Sequence, residues 1–479
     1  MNNHGFTVKE IELLAISLRT LMTLPFFPLP KNIQSEIRGN LSIIENSCVL
    51  IVIAYIVVLR GIDEMNPFSN IRNRYSFVRG NFLLLIITWV LMFFATPIPN
   101  TYASKFYKDV LGANDFLLSV INFSGSIALA LVQFPGGYLA DKHGRRWLVF
   151  SMTFGVALSY VLFVFAPSWH FIVLGIMIQN FCLLYQPALF AIMIDSVSPE
   201  NRGAGFTMQN VILNLVGLPA SIIAGYLILI FQFDLGMRIA YAIVMVACFA
   251  AAILRVKLKE TLPSAEGDKR PNLLEAIREY PRSVRESLHV WSKVPKTLFH
   301  LFVSYAAISS LTAGCTIYFV VYALEILDIG KFQWAIVMAF MSMSAAIPSI
   351  IAGFKMDKTG RKNFLVMAYL CYVPAMLIFV SADFYMLLLA FFFYGLAQVL
   401  QNSSYQSMVG DLTPRDLRGK VVGCSQFFIY LSQALTQLLV GLLYSYIWKP
   451  LPFVMLAMGA IPIAVFAFFK VSESGPKEV

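Results

Sequence analysis

The sequence contains Gly137-Tyr-Leu-Ala-Asp141-Lys142-His-Gly144-Arg145-Arg146, and much later it contains the related stretch Gly353-Phe-Lys-Met-Asp357-Lys358-Thr-Gly360-Arg361-Lys362. A second pattern follows each copy: Asp195-(x6)-Arg202-Gly203 after the first and Asp411-(x6)-Arg418-Gly419 after the second. The interval from Asp141 to Asp357 is identical to the interval from Asp195 to Asp411, and we call it the repeat interval. Two different patterns that share one interval indicate that the chain consists of two related halves.

The residue types in these patterns suit short loops between packed helices. Glycine permits a tight reversal and a close approach of two helices. An arginine can donate two hydrogen bonds to one carboxylate. We therefore expect Arg145 to pair with Asp195, and Arg361 with Asp411.

Composition places these loops in a membrane protein. Of the 479 residues, 58% are hydrophobic and only 13% are charged, and the mean hydropathy is +0.73. A soluble domain has about a quarter of its residues charged, so composition excludes an ordinary cytosolic enzyme. The net charge of +10 comes from short loops between apolar runs, which argues against a nucleic-acid partner. The six cysteines have no paired spacing and are interpreted as packing residues, so no metal or other cofactor is expected.

Twelve apolar runs, called spans 1 to 12 here, follow residue 80. Most approach the ~20 residues that a helix needs to cross a bilayer. The predicted fold is therefore an all-α integral membrane protein, with two pseudo-symmetric bundles of six helices at 80–255 and 298–471. The sixth run is short, and we expect Arg238 and Arg255 to extend it by reaching the two membrane interfaces. The runs are 82–104, 116–138, 148–166, 170–193, 206–231, 239–254, 298–323, 333–354, 364–381, 384–409, 421–446 and 450–469.

The distribution of basic residues predicts the orientation. The loops on the side of the duplicated pattern hold 21 Lys and Arg, and the loops on the other side hold five. Basic loops remain in the cytoplasm, so both termini of the twelve-span body are expected there, in the plasma membrane. Residues 256–297 are predicted to link the halves through an amphipathic helix, and 472–479 to form a cytoplasmic tail. Residues 1–79 are an N-terminal extension, of which 1–64 is interpreted either as interfacial or as a product of start-site choice, with Met65 as the other start.

The pattern G-x-L-A-D-K-x-G-R-R resembles the cytoplasmic signature of the major facilitator superfamily. The second copy departs from it at Lys355 and Met356. The resemblance implies a transporter in which two bundles rock about a central site, and in which the duplicated loops latch the cytoplasmic side. The expected gate residues are Gly137, Asp141, Gly144, Arg145, Arg146, Asp195, Arg202, Gly353, Asp357, Gly360, Arg361, Lys362, Asp411 and Arg418.

The twelve runs contain no Asp, Glu, Lys or Arg, whereas proton pathways usually contain such groups. Amides, hydroxyls and aromatic rings remain, and they suit an uncharged or amphipathic small molecule. In this family spans 1, 4, 7 and 10 usually line the cavity, and for any single amide a helix-to-helix hydrogen bond is at least as good an interpretation. The expected substrate-binding residues are Trp89, Gln179, Asn180, Tyr305, Tyr318, Gln398, Gln401 and Asn402.

The leading hypothesis is a monomeric secondary transporter that moves a small organic solute and is not an enzyme. One alternative is a proton-coupled exporter of lipophilic compounds. Another is a non-transporting receptor on the same scaffold, against which the latches in both halves argue.

Overall fold

The computed structural model describes residues 79–133, 145–197, 212, 216–261, 294–413 and 418–473, and for 346–359 and 418–420 it describes the backbone alone. The predicted extension before Arg79 and the predicted amphipathic helix of the linker lie outside these residues.

Each of the twelve predicted spans contains a helix in the part of the chain that the structure describes. Ten of them, counting Gly80–Asn100 and Trp169–Asp195 as single spans, are long and apolar enough to cross a membrane. Side chains such as Phe165 and Phe469 on their outer surfaces are more than two-thirds exposed, as expected of surfaces that face hydrocarbon. The chain is therefore an all-α multi-pass membrane protein.

The first half consists of spans 1 to 6. Span 1 is Gly80–Ala95, followed by the short helices Pro97–Asn100 and Ala103–Asp109, and span 2 is Asp115–Val132. The remaining helices of this half are Arg145–Val164, Trp169–Cys182 with Gln186–Asp195, Ala220–Phe231 and Phe233–Arg255.

The second half repeats this order. Span 7 is Lys296–Thr316, followed by the short helix Phe319–Glu325, which corresponds to Ala103–Asp109 after span 1. Spans 8 to 12 are the helices Lys331–Thr359, Arg361–Phe379, Phe384–Leu412, Arg418–Tyr446 and Leu451–Lys470.

Because successive spans run in opposite directions, the two duplicated loops lie on one side of the membrane. We call this side, which carries Arg145 and Arg361, the loop face. The opposite side, which carries Lys105 and Glu325, is the far face.

The expectation for span 6 was wrong. Its helix is not short, because it begins at Phe233 and runs for 23 residues to Arg255. Arg255 does not reach an interface either: its side chain is completely buried. Asp234 and Arg238 form an i,i+4 pair at the far-face end, with Arg238 Nε 2.7 Å from Asp234 Oδ1, and this pair satisfies the charges that the sequence placed in a loop.

Span 4 is broken near its middle. A single 3-10 turn, Leu183–Tyr185, separates its two helices, and Pro187 follows in the first turn of the second helix. Proline cannot donate a backbone hydrogen bond, so it favours a new helix start at this point. Broken helices within a transporter bundle usually lie beside the binding site.

Candidate functional site

The loop face of the first half is organised around Arg145. Its Nη1 lies 2.5 Å from Asp195 Oδ2 and also donates to Thr261 Oγ1 at 3.1 Å. The next residue, Arg146, donates its backbone N–H to Glu260 and its Nη2 to the carbonyl of Val256. These bonds connect the start of span 3 to the end of span 4 and to the residues that follow span 6. They therefore hold three spans together at the loop face of this half.

The second half repeats the arrangement. Arg361 Nη1 pairs with Asp411 Oδ2, and the same Nη1 donates to the carbonyl of Ser407 at 3.2 Å. The carboxylate of Glu473 accepts the backbone N–H groups of Arg361 at 2.7 Å and Lys362 at 3.1 Å. Both predicted arginine–aspartate pairs are therefore formed, each within its own half.

Glu260 and Glu473 cap helices that begin far earlier in the chain, at Arg145 and Arg361. The first N–H groups of a helix lack partners within the helix, and a carboxylate there also interacts favourably with the helix dipole. Gly360 precedes one of these helices with φ +94°, and a Cβ on it would lie 2.8 Å from Glu473 Oε2. The glycine of the second copy is therefore required both by the backbone and by the cap.

Several predicted gate residues have no side-chain description. Gly137, Asp141, Gly144 and Arg202 lie outside the described residues, and only the backbone is described for Gly353, Asp357 and Arg418. The gate role of the whole set stays a prediction.

At the far face the two halves are in direct contact, and the contacts occur in related pairs. Tyr102 donates to the carbonyl of Lys331 at 2.5 Å, and Tyr318 donates to the carbonyl of Asp115 at 2.9 Å. The repeat interval relates Tyr102 to Tyr318, and it also relates Asp115 to Lys331. The contact therefore has the same twofold relation as the duplicated loops.

Glycines make the closest of these paired approaches. A Cβ on Gly225 would lie 2.8 Å from Ala335, and a Cβ on Gly441 would overlap Ser119 Oγ. Trp334 adds a hydrogen bond from its indole nitrogen to the carbonyl of Thr101 at 2.9 Å. We call the uncharged contacts made by Thr101, Tyr102, Asp115, Ser119, Gly225, Tyr318, Lys331, Trp334, Ala335 and Gly441 the far-face seal.

A charged cluster lies beside the seal. Glu325 of the second half accepts hydrogen bonds from Lys105 at 2.6 Å and Lys108 at 2.7 Å, both of the first half. Burial raises the pKa of Glu325, but the two lysine hydrogen bonds and charges outweigh it and hold the pKa below its ordinary value. Burial lowers the pKa of Lys108, and its hydrogen bonds with Asp115 and Glu325 reverse this and raise the pKa. Glu325 and Lys108 are consequently charged near neutral pH.

Spans 7 and 10 bring together two of the predicted substrate residues. Tyr305 donates its hydroxyl to Asn402 Oδ1 at 2.9 Å, and its ring stacks on Tyr405, with centroids 3.7 Å apart and an angle of 15°. Tyr305 and Asn402 are half-buried, whereas Tyr405 is buried. We call these three residues the tyrosine–asparagine group.

The other predicted amides are satisfied within their own halves. Gln179 donates to Tyr160 at 2.7 Å, Asn180 donates to the carbonyl of Gly125, and Gln398 donates to Tyr394. Gln401 is only 2% exposed and accepts from Tyr372 at 2.7 Å.

The two remaining predicted substrate-binding residues, Tyr318 and Trp89, are aromatic and lie apart from the tyrosine–asparagine group. Tyr318 belongs to the far-face seal. The buried Trp89 lies beside Phe190 at 6.4 Å between centroids, so it packs spans 1 and 4 together. Substrate binding by these rings and by the four satisfied amides stays a prediction.

Arg255 is a functional candidate that the sequence did not reveal. It donates from Nη1 to Thr153 at 2.6 Å and from Nε to Thr88 at 3.2 Å, and its guanidinium lies 5.2 Å from the ring centre of Tyr185. Its Nη2 is buried and has no hydrogen-bond partner among the described residues. Tyr185 ends the 3-10 turn of span 4, so Arg255 supports the break directly. The available signal was that an arginine ended an apolar run, which is also typical of an interfacial residue.

Comparison with protein families and known proteins agrees with this geometry. The model of the Major Facilitator Superfamily matches residues 80–382 and 349–479. An uncharacterised MFS-type transporter of Methanocaldococcus jannaschii is 24% identical over 348 residues, which cover 71% of this chain and 80% of that protein.

Two relatives with assigned names are about equally distant. A Na(+), Li(+), K(+)/H(+) antiporter of Planococcus maritimus is 22% identical, with 67% of this chain and 78% of that protein covered. The multi-drug resistance efflux pump PmrA of Streptococcus pneumoniae is also 22% identical, with coverage of 77% and 87%. Among solved structures, the nucleoside transporter NupG (D323A mutant) superposes with a TM-score of 0.62 at 14% identity, covering 82% of this chain and 100% of that one, and this likeness concerns the fold.

Proposed function

The chain belongs to the Major Facilitator Superfamily and is a secondary transporter, and from this premise we propose that it carries an uncharged, amphipathic organic solute with a planar or aromatic part. The observation that supports this most is the tyrosine–asparagine group. It presents stacked rings, a hydroxyl and an amide on spans 7 and 10, which in this family line the central cavity.

The charges of the described residues support the same substrate class. Among them, the one buried charged side chain is Arg255, and it is enclosed on all sides. A solute in the cavity therefore meets amides, hydroxyls and rings, which fit polar edges and apolar faces together.

The test is uptake into proteoliposomes over a panel of nucleosides, sugars, amino acids, neutral drugs and the cations Na⁺, Li⁺ and K⁺. Transport of at least one neutral organic solute is expected. Tyr305→Leu removes the stacking ring and should raise the KM of that solute at least about tenfold, since stacking and burial of one ring together contribute about 1.4 kcal/mol or more. Tyr305→Phe removes only the hydroxyl and should raise KM less.

Tyr385→Phe is the matched control, because Tyr385 is 72% exposed. Its KM should equal that of the wild type. A KM unchanged in Tyr305→Leu, or transport confined to the inorganic cations, would contradict the proposal.

Proton-coupled export of lipophilic compounds is a second candidate, supported by the relationship to the efflux pump. It predicts that an imposed pH gradient drives the efflux of a lipophilic dye. A rate that is the same with and without the gradient would reject it. Flux of no solute under either condition would favour a receptor instead.

We propose that the loop face lies in the cytoplasm, because its loops hold an excess of Lys and Arg, and that the protein lies in the plasma membrane. We further propose that Asp141 and Asp357 are gate residues. They would hold the two halves together at the loop face in the conformation in which the far face is open. Asp141→Asn should reduce transport strongly while leaving the amount of protein in the membrane unchanged. Wild-type transport at equal expression would exclude the gate role.

A further inference from the structure

Glu325 corresponds to Asp109 through the repeat interval, but the two lysines of the charged cluster at the far face do not follow the twofold relation of the seal beside it. The repeat interval relates Lys105 and Lys108 to Val321 and Leu324, and neither of these is charged. Within the described residues, the ion pairs that cross between the halves both end at Glu325. In these two crossing pairs the first half supplies both cations and the second half supplies the anion.

Each charge in the cluster also has a partner in its own half. Lys105 Nζ lies 3.0 Å from Asp109 Oδ1, and Lys108 Nζ lies 2.5 Å from Asp115 Oδ1. On the other side, Lys449 Nζ lies 4.0 Å from Glu325 Oε2. Lys449 and Asp109 lie at the exposed rim of the cluster, with side chains 40% and 37% exposed, whereas Lys105 is only 11% exposed.

From this arrangement we propose that the cluster is a partner-exchange lock, in which Glu325 leaves Lys105 and Lys108 for Lys449 when the far face opens. The lysines then keep Asp109 and Asp115, so opening leaves no partly buried charge without a partner. A buried pair that loses one member is strongly destabilised, and a lock without receiving partners would hold the far face shut. Lys449 and Asp109 are thus assigned as receiving residues of the open state.

The lock gives opposite expectations for residues that lie side by side. Glu325→Gln removes the charge that holds the closed state, and Lys449→Gln removes the charge that receives Glu325 in the open state. The first should favour opening, and the second should favour closure. A cluster with a purely structural role would respond to both changes in the same direction.

The experiment measures the distance between spin labels on opposite halves of the purified full-length protein. The native cysteines are replaced, and labels are placed at Pro167→Cys and Ser381→Cys, two exposed far-face positions. Glu325→Gln should raise the ratio of the long to the short distance population roughly tenfold, the effect of about one hydrogen bond to a charged group. This readout does not depend on the substrate, so it can fail or succeed independently of the transport proposal.

Asp328→Asn is the matched control. Asp328 lies three residues from Glu325 at φ +51°, a left-handed conformation that asparagine also adopts readily, and it is exposed. The change neutralises one carboxylate near Glu325 in the chain and should leave the distance distribution unchanged. Equal distributions for Glu325→Gln and Asp328→Asn would overturn the lock.

The Lys449 prediction is tested in a Lys105→Gln background, where the loss of one closed-state partner makes the open population measurable. Adding Lys449→Gln should lower the open population several-fold. No change, or a further increase, would overturn the proposal. This pair of variants also decides the question if Glu325→Gln does not fold.

Discussion

The hydropathy pattern predicts the wrong position for the side chain of Arg255. Arg255 ends an apolar run, as interfacial arginines do, yet it is completely buried between spans 1, 3, 4 and 6. An ionised side chain in such a place is costly and usually has a function. Its contact with Tyr185 indicates that it positions the break in span 4.

This role predicts an unusual stability result for Arg255→Met. Thr88 and Thr153 also hydrogen-bond to carbonyls of their own helices, so the methionine leaves neither hydroxyl without a partner. Replacing a buried charged network by an apolar side chain is often neutral or stabilising. The melting temperature in detergent should therefore stay the same or rise, while transport falls at least about tenfold.

Arg255→Lys is the informative comparison. A lysine ammonium is compact, strongly hydrated and unable to stack on Tyr185 as a planar group. The Arg255→Lys variant should therefore have a lower melting temperature than both the wild type and the methionine variant. A methionine variant that melts more than about 10 °C below the wild type would show that Arg255 is structural.

The pKa of Glu325 predicts the pH range of the closed far face. Because its pKa lies below the ordinary 4.5, its contribution is fully present above pH 4.5 and is lost as the pH falls through the lowered pKa. The pKa of Lys108 lies above the ordinary 10.5, so its contribution is present below pH 10.5 and is lost as the pH rises through the raised value. The distance between labels at 167 and 381 should therefore not change between about pH 5 and pH 9. A transition within that range would contradict the assignment.

Residue roles were the part of the site that the sequence predicted least well. Gln401 and Asn402 are neighbours on one helix, but the buried Gln401 bonds to the buried Tyr372, whereas the half-buried Asn402 bonds to the half-buried Tyr305. A substrate-binding amide and an amide that bonds to a neighbouring helix both give the same pattern in the sequence, a polar residue on an apolar helix. The direction of a side chain depends on which helices pack around it, and the sequence pattern does not contain that information.

At the scale of the element, helix starts explain why the acidic residues after spans 6 and 12 are present. Lys259-Glu260-Thr261 follows the last helix of the first half, and Ser472-Glu473-Ser474 follows the last helix of the second half. The structure shows that their glutamates cap spans 3 and 9. Helix capping between residues so distant in the chain requires the tertiary fold, so local sequence rules could not find it.

Gly360→Ala tests the second cap. The change adds a Cβ at φ +94° and pushes it against Glu473, so stability should fall by about 1–2 kcal/mol. Thermal unfolding in detergent measures it. In a Glu473→Ala background the loss should shrink, because only the backbone strain remains.

Gly410→Ala is the control for this element. Gly410 is helical, and a Cβ there would meet no side chain of the described residues within 4 Å. Alanine favours helix by up to about 1 kcal/mol over glycine, so this variant should be neutral or stabilised. Equal destabilisation by both changes would remove the special role of Gly360.

For the whole molecule, the sequence predicted the architecture because its evidence was global. Twelve apolar runs and one repeat interval are properties of the entire chain. A wrong interpretation of one residue therefore does not change the predicted architecture. The same interval relates the Tyr102 bond to the Tyr318 bond, and Gly225 to Gly441. The sequence did not predict the conformation, because duplicated halves are compatible with contact at either face.

The twofold seal predicts that its two glycines are equivalent. Gly225→Val and Gly441→Val should each wedge the halves apart and lengthen the distance between labels at 167 and 381, since each side chain would meet the opposite half. Gly314→Val, which meets Val440 within its own half, should lower the melting temperature without changing that distance. A lengthening in the Gly314 variant, or none in the other two, would contradict the seal.

The cap by Glu473 has a practical consequence for handling the protein. A fusion partner, affinity tag or truncation that replaces residues from 472 onward removes the carboxylate that holds the start of span 9, a helix two transmembrane hairpins away along the chain. Such a protein would be expressed with a weakened loop face, and its activity would be underestimated for a reason unrelated to its cargo. Tags are better placed after residue 479, with 471–473 left intact.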